Sequence, residues 1–156
     1  MVWQTSKRTI DISHPIVMGI LNVTPDSFSD GGRFADLDAA LSRAEEMIGE
    51  GVAIIDIGGE STRPGSERVE EQTEIDRVVP VIEALSSKFD IPISIDTSKS
   101  KVAEAAVKAG AEIINDISGL RFDERIAEVA AATNTGLVLM DSRGEFAAMH
   151  SQPPIE

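Results

Sequence analysis

Short apolar runs rich in isoleucine and valine alternate along the chain with segments of helical period. The runs extend from Ile16 to Val23, Val52 to Ile57, Ile91 to Ile95, Ala111 to Ile114 and Gly136 to Met140. Each stops abruptly at polar residues or glycine. Near-continuous apolar runs with little alternation suit parallel strands covered on both faces. The segments between them draw helical faces. From Asp36, a candidate N-cap, the apolar positions are Leu37, Ala40, Leu41, Ala44, Met47 and Ile48, with Gly51 where a closing glycine belongs. A second helix carries Ile75, Val78, Val79, Ile82 and Leu85, and Pro80 inside it is expected to kink it. A third starts near Ser98, turns Val102, Ala105, Ala106 and Ala109 inward, and closes at Gly110. A fourth starts at Asp123 with Ile126, Val129 and Ala130 on its inner face. Residues 2–12, where Trp3, Ile10 and Ile12 stand out, predict a short hairpin.

Strand–helix alternation implies a parallel sheet with right-handed crossovers. A doubly wound sheet and a barrel both satisfy it. No turn carries the Gly-x-Gly-x-x-Gly of a dinucleotide fold. Polar residues close every run: Asn22, Gly58 to Glu60, Asp96, Asn115, and Asp141 to Arg143. In a barrel all such ends converge on one mouth, whereas in an open sheet only those at the switch point meet. The recurrence favours an α/β fold of the (β/α)₈ barrel type, with the hairpin capping the opposite end. At roughly 30 residues per unit, 156 residues hold about five of the eight units. The chain therefore reads as a single domain, 1–156, that stops short of a closed ring.

Composition narrows the partners. Fourteen Lys and Arg against 27 Asp and Glu give a net charge of −13, and no basic stripe is available for nucleic acid. The pair Lys99 and Lys101 reads as solvated side chains at a helix start. No cysteine is present, so there is no disulfide or thiolate metal site. The first residues lack an apolar leader, and no run reaches the length of a membrane helix. A cytoplasmic protein that binds neither membrane nor nucleic acid is expected.

Two long loops hold the candidate chemistry. The first, Asn22 to Gly32, contains oxygen donors, two glycines and Phe28. Asn22 offers a hard oxygen suited to Mg²⁺, although on composition alone Asx and Ser turns are the plainer account of such a loop. The second, Gly58 to Ser66, sets Thr62 and the planar fork of Arg63 among glycines, a plausible anion cradle. Asp96 and Asn115, a carboxylate and an amide at neighbouring strand ends, suit the edge of a heterocycle. A helix cap is the plainer reading of Asp96. Asp56 and Asp116 read as structural, holding loop amides. Met140 would wall a flat ring or simply pack in the core. The two histidines, His14 and His150, stand in no metal-ligand spacing.

These stretches resemble the dihydropteroate synthase family. Residues 20–32, ILNVTPDSFSDGG, are similar to its first signature, and residues 55–65, IDIGGESTRPG, to its second. Residues 94–97 and 114–116 continue in the same order. The resemblance implies condensation of 6-hydroxymethyl-7,8-dihydropterin pyrophosphate with p-aminobenzoate, giving 7,8-dihydropteroate and pyrophosphate for folate synthesis. It implies that Asn22, supported by Asp30, holds Mg²⁺, and that Thr62 and Arg63 contact the pyrophosphate. Asp96 and Asn115 would read the pterin, Met140 would pack on the ring, and Phe28 and Pro64 would line the p-aminobenzoate pocket. Arg63 and Asp96 are the residues it places at the chemistry. Asp141 stands where the resemblance leads one to expect histidine. The family's groups on later strands lie beyond Glu156, so little turnover and poor independent stability are expected of this chain. Two rival readings stand beside this one: a methyl-transferring pterin barrel, and a non-catalytic partial barrel assembling as a homodimer or with a complementing C-terminal fragment.

Overall fold

The computed structural model describes residues 1–23, 32–61 and 68–141, with 32–35 described by their backbone alone. β1 (Val2–Gln4) and β2 (Thr9–Asp11) form an antiparallel hairpin with Trp3 opposite Ile10. Then follow β3 (Met18–Asn22), α1 (Gly32–Gly49), β4 (Ile54–Gly58), α2 (Glu71–Lys88), β5 (Ile93–Asp96), α3 (Ser100–Ala109), β6 (Ile113–Asp116), α4 (Arg125–Thr133) and β7 (Gly136–Leu139).

The five longer-range strands lie in the order β3-β4-β5-β6-β7, every pair parallel. This order separates the two architectures left open by the sequence. A doubly wound sheet reverses direction at a switch point. Here each unit steps the same way, so crossovers of one hand leave all helices on one face. The result is a partial (β/α)₈ barrel wall. Successive helices pack on one another, α1 on α2, α2 on α3 and α3 on α4. β3 and β7 are the free edges among the described strands.

Strand alternation sorts the side chains into two layers. Leu21, Ile57, Ile95 and Ile114 face the helices and join Ala40, Ala44, Val78, Ile82, Leu85, Val102 and Ala106 in the main core. The opposite, concave face is apolar at its base, where Ile54, Ile113, Met18 and Val138 meet Trp3, Ile10 and Ile12 of the hairpin. The hairpin thus plugs the end of the wall opposite the strand C-termini, as its apolar positions predicted.

Gly136 marks how closely this plug fits. A Cβ there would lie 2.7 Å from the Trp3 ring. Gly136→Ala is expected to lose about 1–3 kcal/mol through overpacking. Trp3 is the single tryptophan, so its emission should shift red in the folded variant. An unchanged spectrum and urea midpoint would show that the hairpin does not seat there.

Helix boundaries differ from the sequence reading in instructive ways. α1 starts at Gly32, so Asp36 lies inside it and not at its N-cap. Residues 33–35, Arg-Phe-Ala, contain no breaker, and the helix extends back through them to Gly32. Its end is as expected: Gly51 adopts φ +95°, and Val52 N–H donates to Met47 O at 3.1 Å. α2 runs through Pro80 as one helix. Pro80 is exposed, so water can satisfy the carbonyl that loses its donor. Asp123 precedes α4 and serves two helices. One carboxylate oxygen accepts from Arg125 N–H at 3.2 Å and the other from Ser100 N–H, the first residue of α3, at 2.9 Å. In α3 the buried positions are Ser100, Val102, Ala103 and Ala106, with Ala105 half-buried. Among the described residues, no helix is long and apolar enough to cross a membrane.

Candidate active site

Parallel pairing in register aligns one row across the strand ends: Asn22, Gly58, Asp96, Asn115 and Val138. One pleat below runs a second row on the same face: Ile20, Asp56, Ser94, Ile113 and Gly136. The concave face therefore turns from apolar at the hairpin to polar at the mouth. Gly58 leaves a gap between its neighbours. A Cβ on it would stand 3.6 Å from both Asn22 Oδ1 and Asp96 Oδ2.

Asp96 is half-buried, and its carboxyl is pushed up from 3.8 to about 7. Burial is the main cause, and the nearby carboxylates of Asp56, Glu74, Asp116 and Glu60 add to it. Near neutrality it exists in both forms, a hydrogen-bond donor when protonated and a strong acceptor when ionised. Asn115 Nδ2 donates to Asp56 Oδ2 at 3.0 Å. That bond fixes the amide and leaves its carbonyl oxygen and second N–H for a ligand.

Asp56 itself is 3% exposed and is held up by burial against the opposing effects of Ser94 and Asn115. Among the described residues it binds no loop amide, and so departs from its sequence reading. Its place in the middle of β4 sets it on the concave wall, where it orients Asn115. A sequence signal existed: an aspartate inside an otherwise apolar strand needs a partner to be buried. Asp116 behaves as expected, accepting from Ser118 N–H at 2.8 Å and Leu120 N–H at 2.7 Å.

Lys99 is another correction. It is not solvated: its side chain is 11% exposed and its ammonium pairs with Glu60 at 3.0 Å and Glu74 at 2.5 Å. Lys101 is the exposed member of that pair of lysines, at 65%. Met140 follows β7, and its N–H donates to Asp116 O at 3.1 Å. It borders a small cleft of about 230 Å³ with Ser118, Gly119, Arg121 and Asp141. Asp141 is exposed there. His14 is exposed before β3, at the hairpin end of the wall.

Phe28, Asp30, Thr62, Arg63 and Pro64 lie outside the described residues, as does His150. Asn22 is described, exposed at the end of β3. Among the described residues, no group of three or more His, Cys, Asp or Glu could hold a metal ion by itself. Asn22 offers one hard oxygen facing the gap over Gly58. That suits Mg²⁺, which takes few protein ligands and keeps waters or substrate oxygens for the rest.

The larger cavity, about 730 Å³, is not at this mouth but beside it. It lies between the start of α2, the β5–α3 turn and residues 122–125. Its cations are matched locally: Lys99 by Glu60 and Glu74, Lys101 by Glu71, and Arg125 by Asp123. Arg68 donates to Ser98 Oγ at 3.0 Å and sits over the Phe122 ring. The mouth carries the denser set of candidate ligand groups.

A family model described as pterin binding enzyme matches residues 18–156. A dihydropteroate synthase of Bacillus subtilis is 60% identical over 130 residues, covering 83% of this chain and 46% of that protein. The Yersinia pestis dihydropteroate synthase, solved with a sulfonamide drug complex, superposes with a TM-score of 0.87 at 49% identity. That match covers all of this chain and 56% of the other. The Xanthomonas albilineans enzyme, solved with 7,8-dihydropteroate, gives a TM-score of 0.78 at 40% identity, covering 88% of this chain and 50% of that one. The chain spans about half the length of the relatives it matches.

Proposed function

Because this chain belongs to the pterin-binding enzyme family, we propose that it contributes the pterin-reading wall of a dihydropteroate synthase. The reaction would join 6-hydroxymethyl-7,8-dihydropterin pyrophosphate to p-aminobenzoate. The observation that carries this reading is the row Asn22–Gly58–Asp96–Asn115, with Asn115 held by Asp56. Its polar groups suit the edge of a pterin, and Gly58, lacking a side chain, keeps the space between Asn22 and Asp96 unfilled. The ligand of the Xanthomonas albilineans complex contains both halves of the product.

In this mechanism the C–O bond to pyrophosphate breaks and the leaving group departs with the electron pair. The p-aminobenzoate nitrogen then forms the new C–N bond and loses a proton. Asp96, ionised above about pH 7, faces the ring as it becomes electron-poor and stabilises it. Asn115 fixes the ring's orientation. Mg²⁺ held at Asn22, with Asp30 in support, would supply positive charge to the pyrophosphate. Thr62 and Arg63 serve the same anion, Phe28 and Pro64 line the p-aminobenzoate side, and Met140 packs against the pterin. The exposed apolar side chains on the free edges, Val17, Ile20 and Leu139, support pairing with further strands. These would come from the same chain, a complementing C-terminal fragment or a second copy. Sedimentation of the protein alone and with such a fragment tests this.

Calorimetry tests the function. A 6-hydroxymethyl dihydropterin pyrophosphate with Mg²⁺ is expected to bind, and Asn115→Ala to weaken it by roughly 10- to 100-fold. Equal binding by the variant would remove Asn115 from the site. Preferential binding of methyltetrahydrofolate would favour a methyl-transferring barrel instead.

A further inference from the structure

The connection from β4 to α2 contains Thr62 and Arg63, and its two ends are tied together by a buried charge cluster outside the mouth. Glu60, just past β4, accepts Val69 N–H on Oε1 at 2.5 Å, so one carboxylate joins the start of the connection to its end. Its Oε2 receives Lys99 Nζ at 3.0 Å. The same ammonium donates to Glu74 Oε2, in the first turn of α2. Glu60 and Glu74 are 9% and 1% exposed. Arg77 Nη1 adds a bond to Gly59 O at 2.7 Å. Gly59 allows α2 to press on this root, because a Cβ there would meet Val78 Cγ1 at 2.8 Å and Glu74 Cγ at 3.1 Å.

We propose that Lys99 is a positioning residue that holds the ends of the β4–α2 connection in register with Asp96. Lys99 stands three residues after Asp96, on the short turn into α3. That one turn therefore carries the pterin-reading carboxylate and grips both ends of the segment bearing Arg63. Burying three ions is costly, and an apolar trio of similar volume would hold the fold about as well. The directional bonds to Glu60 and Glu74 add geometry, which an apolar trio would not. The inference rests on the proposed function in one respect, the assignment of Arg63 to the pyrophosphate.

Two readouts test it. In Lys99→Met, exchange of the Val69 amide is expected to accelerate by about tenfold or more, while the strand amides of Ile57 and Ile95 change less than about twofold. Affinity for inorganic pyrophosphate with Mg²⁺ should fall by about tenfold, while a pterin lacking pyrophosphate binds as before. Lys99→Arg, which retains the charge, should restore most of both. Unchanged Val69 exchange in folded Lys99→Met overturns the proposal. So does faster exchange with unaltered pyrophosphate affinity. Faster exchange in a protein whose wild type binds no pyrophosphate would retain the clamp and overturn the functional reading. If Lys99→Met does not fold, Glu60→Gln, which removes charge but keeps shape, must accelerate the same amide, and failure to do so sinks the idea.

Discussion

Asp96→Asn is expected to stabilise the free protein by up to about 4 kcal/mol at pH 8 and by almost nothing at pH 4. The carboxyl of Asp96 is raised from 3.8 to about 7 in the fold, mainly by burial and then by Asp56 and the other acids around it. Below pH 4 the folded and unfolded chains both hold the proton, and asparagine and aspartic acid are nearly equivalent. Between pH 4 and 7 the unfolded chain ionises while the fold still keeps its proton, so wild-type stability falls as pH rises. Above pH 7 the full cost of burying the charge is present. Asparagine never ionises and escapes that cost. The partial exposure of Asp96 makes 4 kcal/mol an upper limit. Urea denaturation at pH 4.5, 6 and 8 measures the difference, and a gap that does not widen with pH would show that Asp96 is not held in a charge-hostile site. The same substitution removes an ionised acceptor from the pterin edge and should weaken pterin binding. Opposite signs on stability and binding are what a strained functional residue gives.

Arg8→Met is expected to cost about 3–5 kcal/mol. Arg8 stands in the hairpin turn, with Nε 2.9 Å from Glu112 Oε1. The contact is an ion pair without hydrogen-bond alignment, since neither atom meets a partner in line. Glu112 is 1% exposed, just before β6. Losing the guanidinium strands a buried carboxylate. Arg8 also meets Asp90 at 2.8 Å, but Asp90 is 95% exposed and that pair should contribute little. Asp90→Ala therefore serves as a control, expected to cost under about 1 kcal/mol. The double variant Arg8→Met/Glu112→Leu should recover most of the loss, because an apolar pair replaces an ionic one. Urea midpoints of the three variants decide it. An Arg8→Met variant as stable as wild type would mean that Arg8 does not offset the burial of Glu112.

The sequence marks Asp96 but not the pairing of Arg8 with Glu112, and the reason is physical. Periodicity reports which residues face an apolar layer, and here it located the five parallel strands and four helices of the described residues. It also located Trp3 and Ile10 as the plug. It does not report which charged side chain meets which. Lys99 beside Lys101 looks like a solvated helix start, and only the packing of α2 on the root of its connection buries one of the two and leaves the other in water. Asp56 looked like a loop ligand because its strand ends two residues later. Parallel register instead places it opposite Ser94 and within reach of Asn115.

The sequence by itself determined the alternation of strand and helix, the polar residues that close β3, β5 and β6, the glycine at the end of α1 and the motif order that marks the family. These depend on contacts between near neighbours and on the sidedness of single elements. Tertiary structure alone decided that the strands step in one direction, that Asn22, Gly58, Asp96 and Asn115 share one row, and that Asp96 titrates near 7. Those properties come from the register between strands far apart in the chain and from the summed burial and charge around one carboxyl. No local segment contains that information.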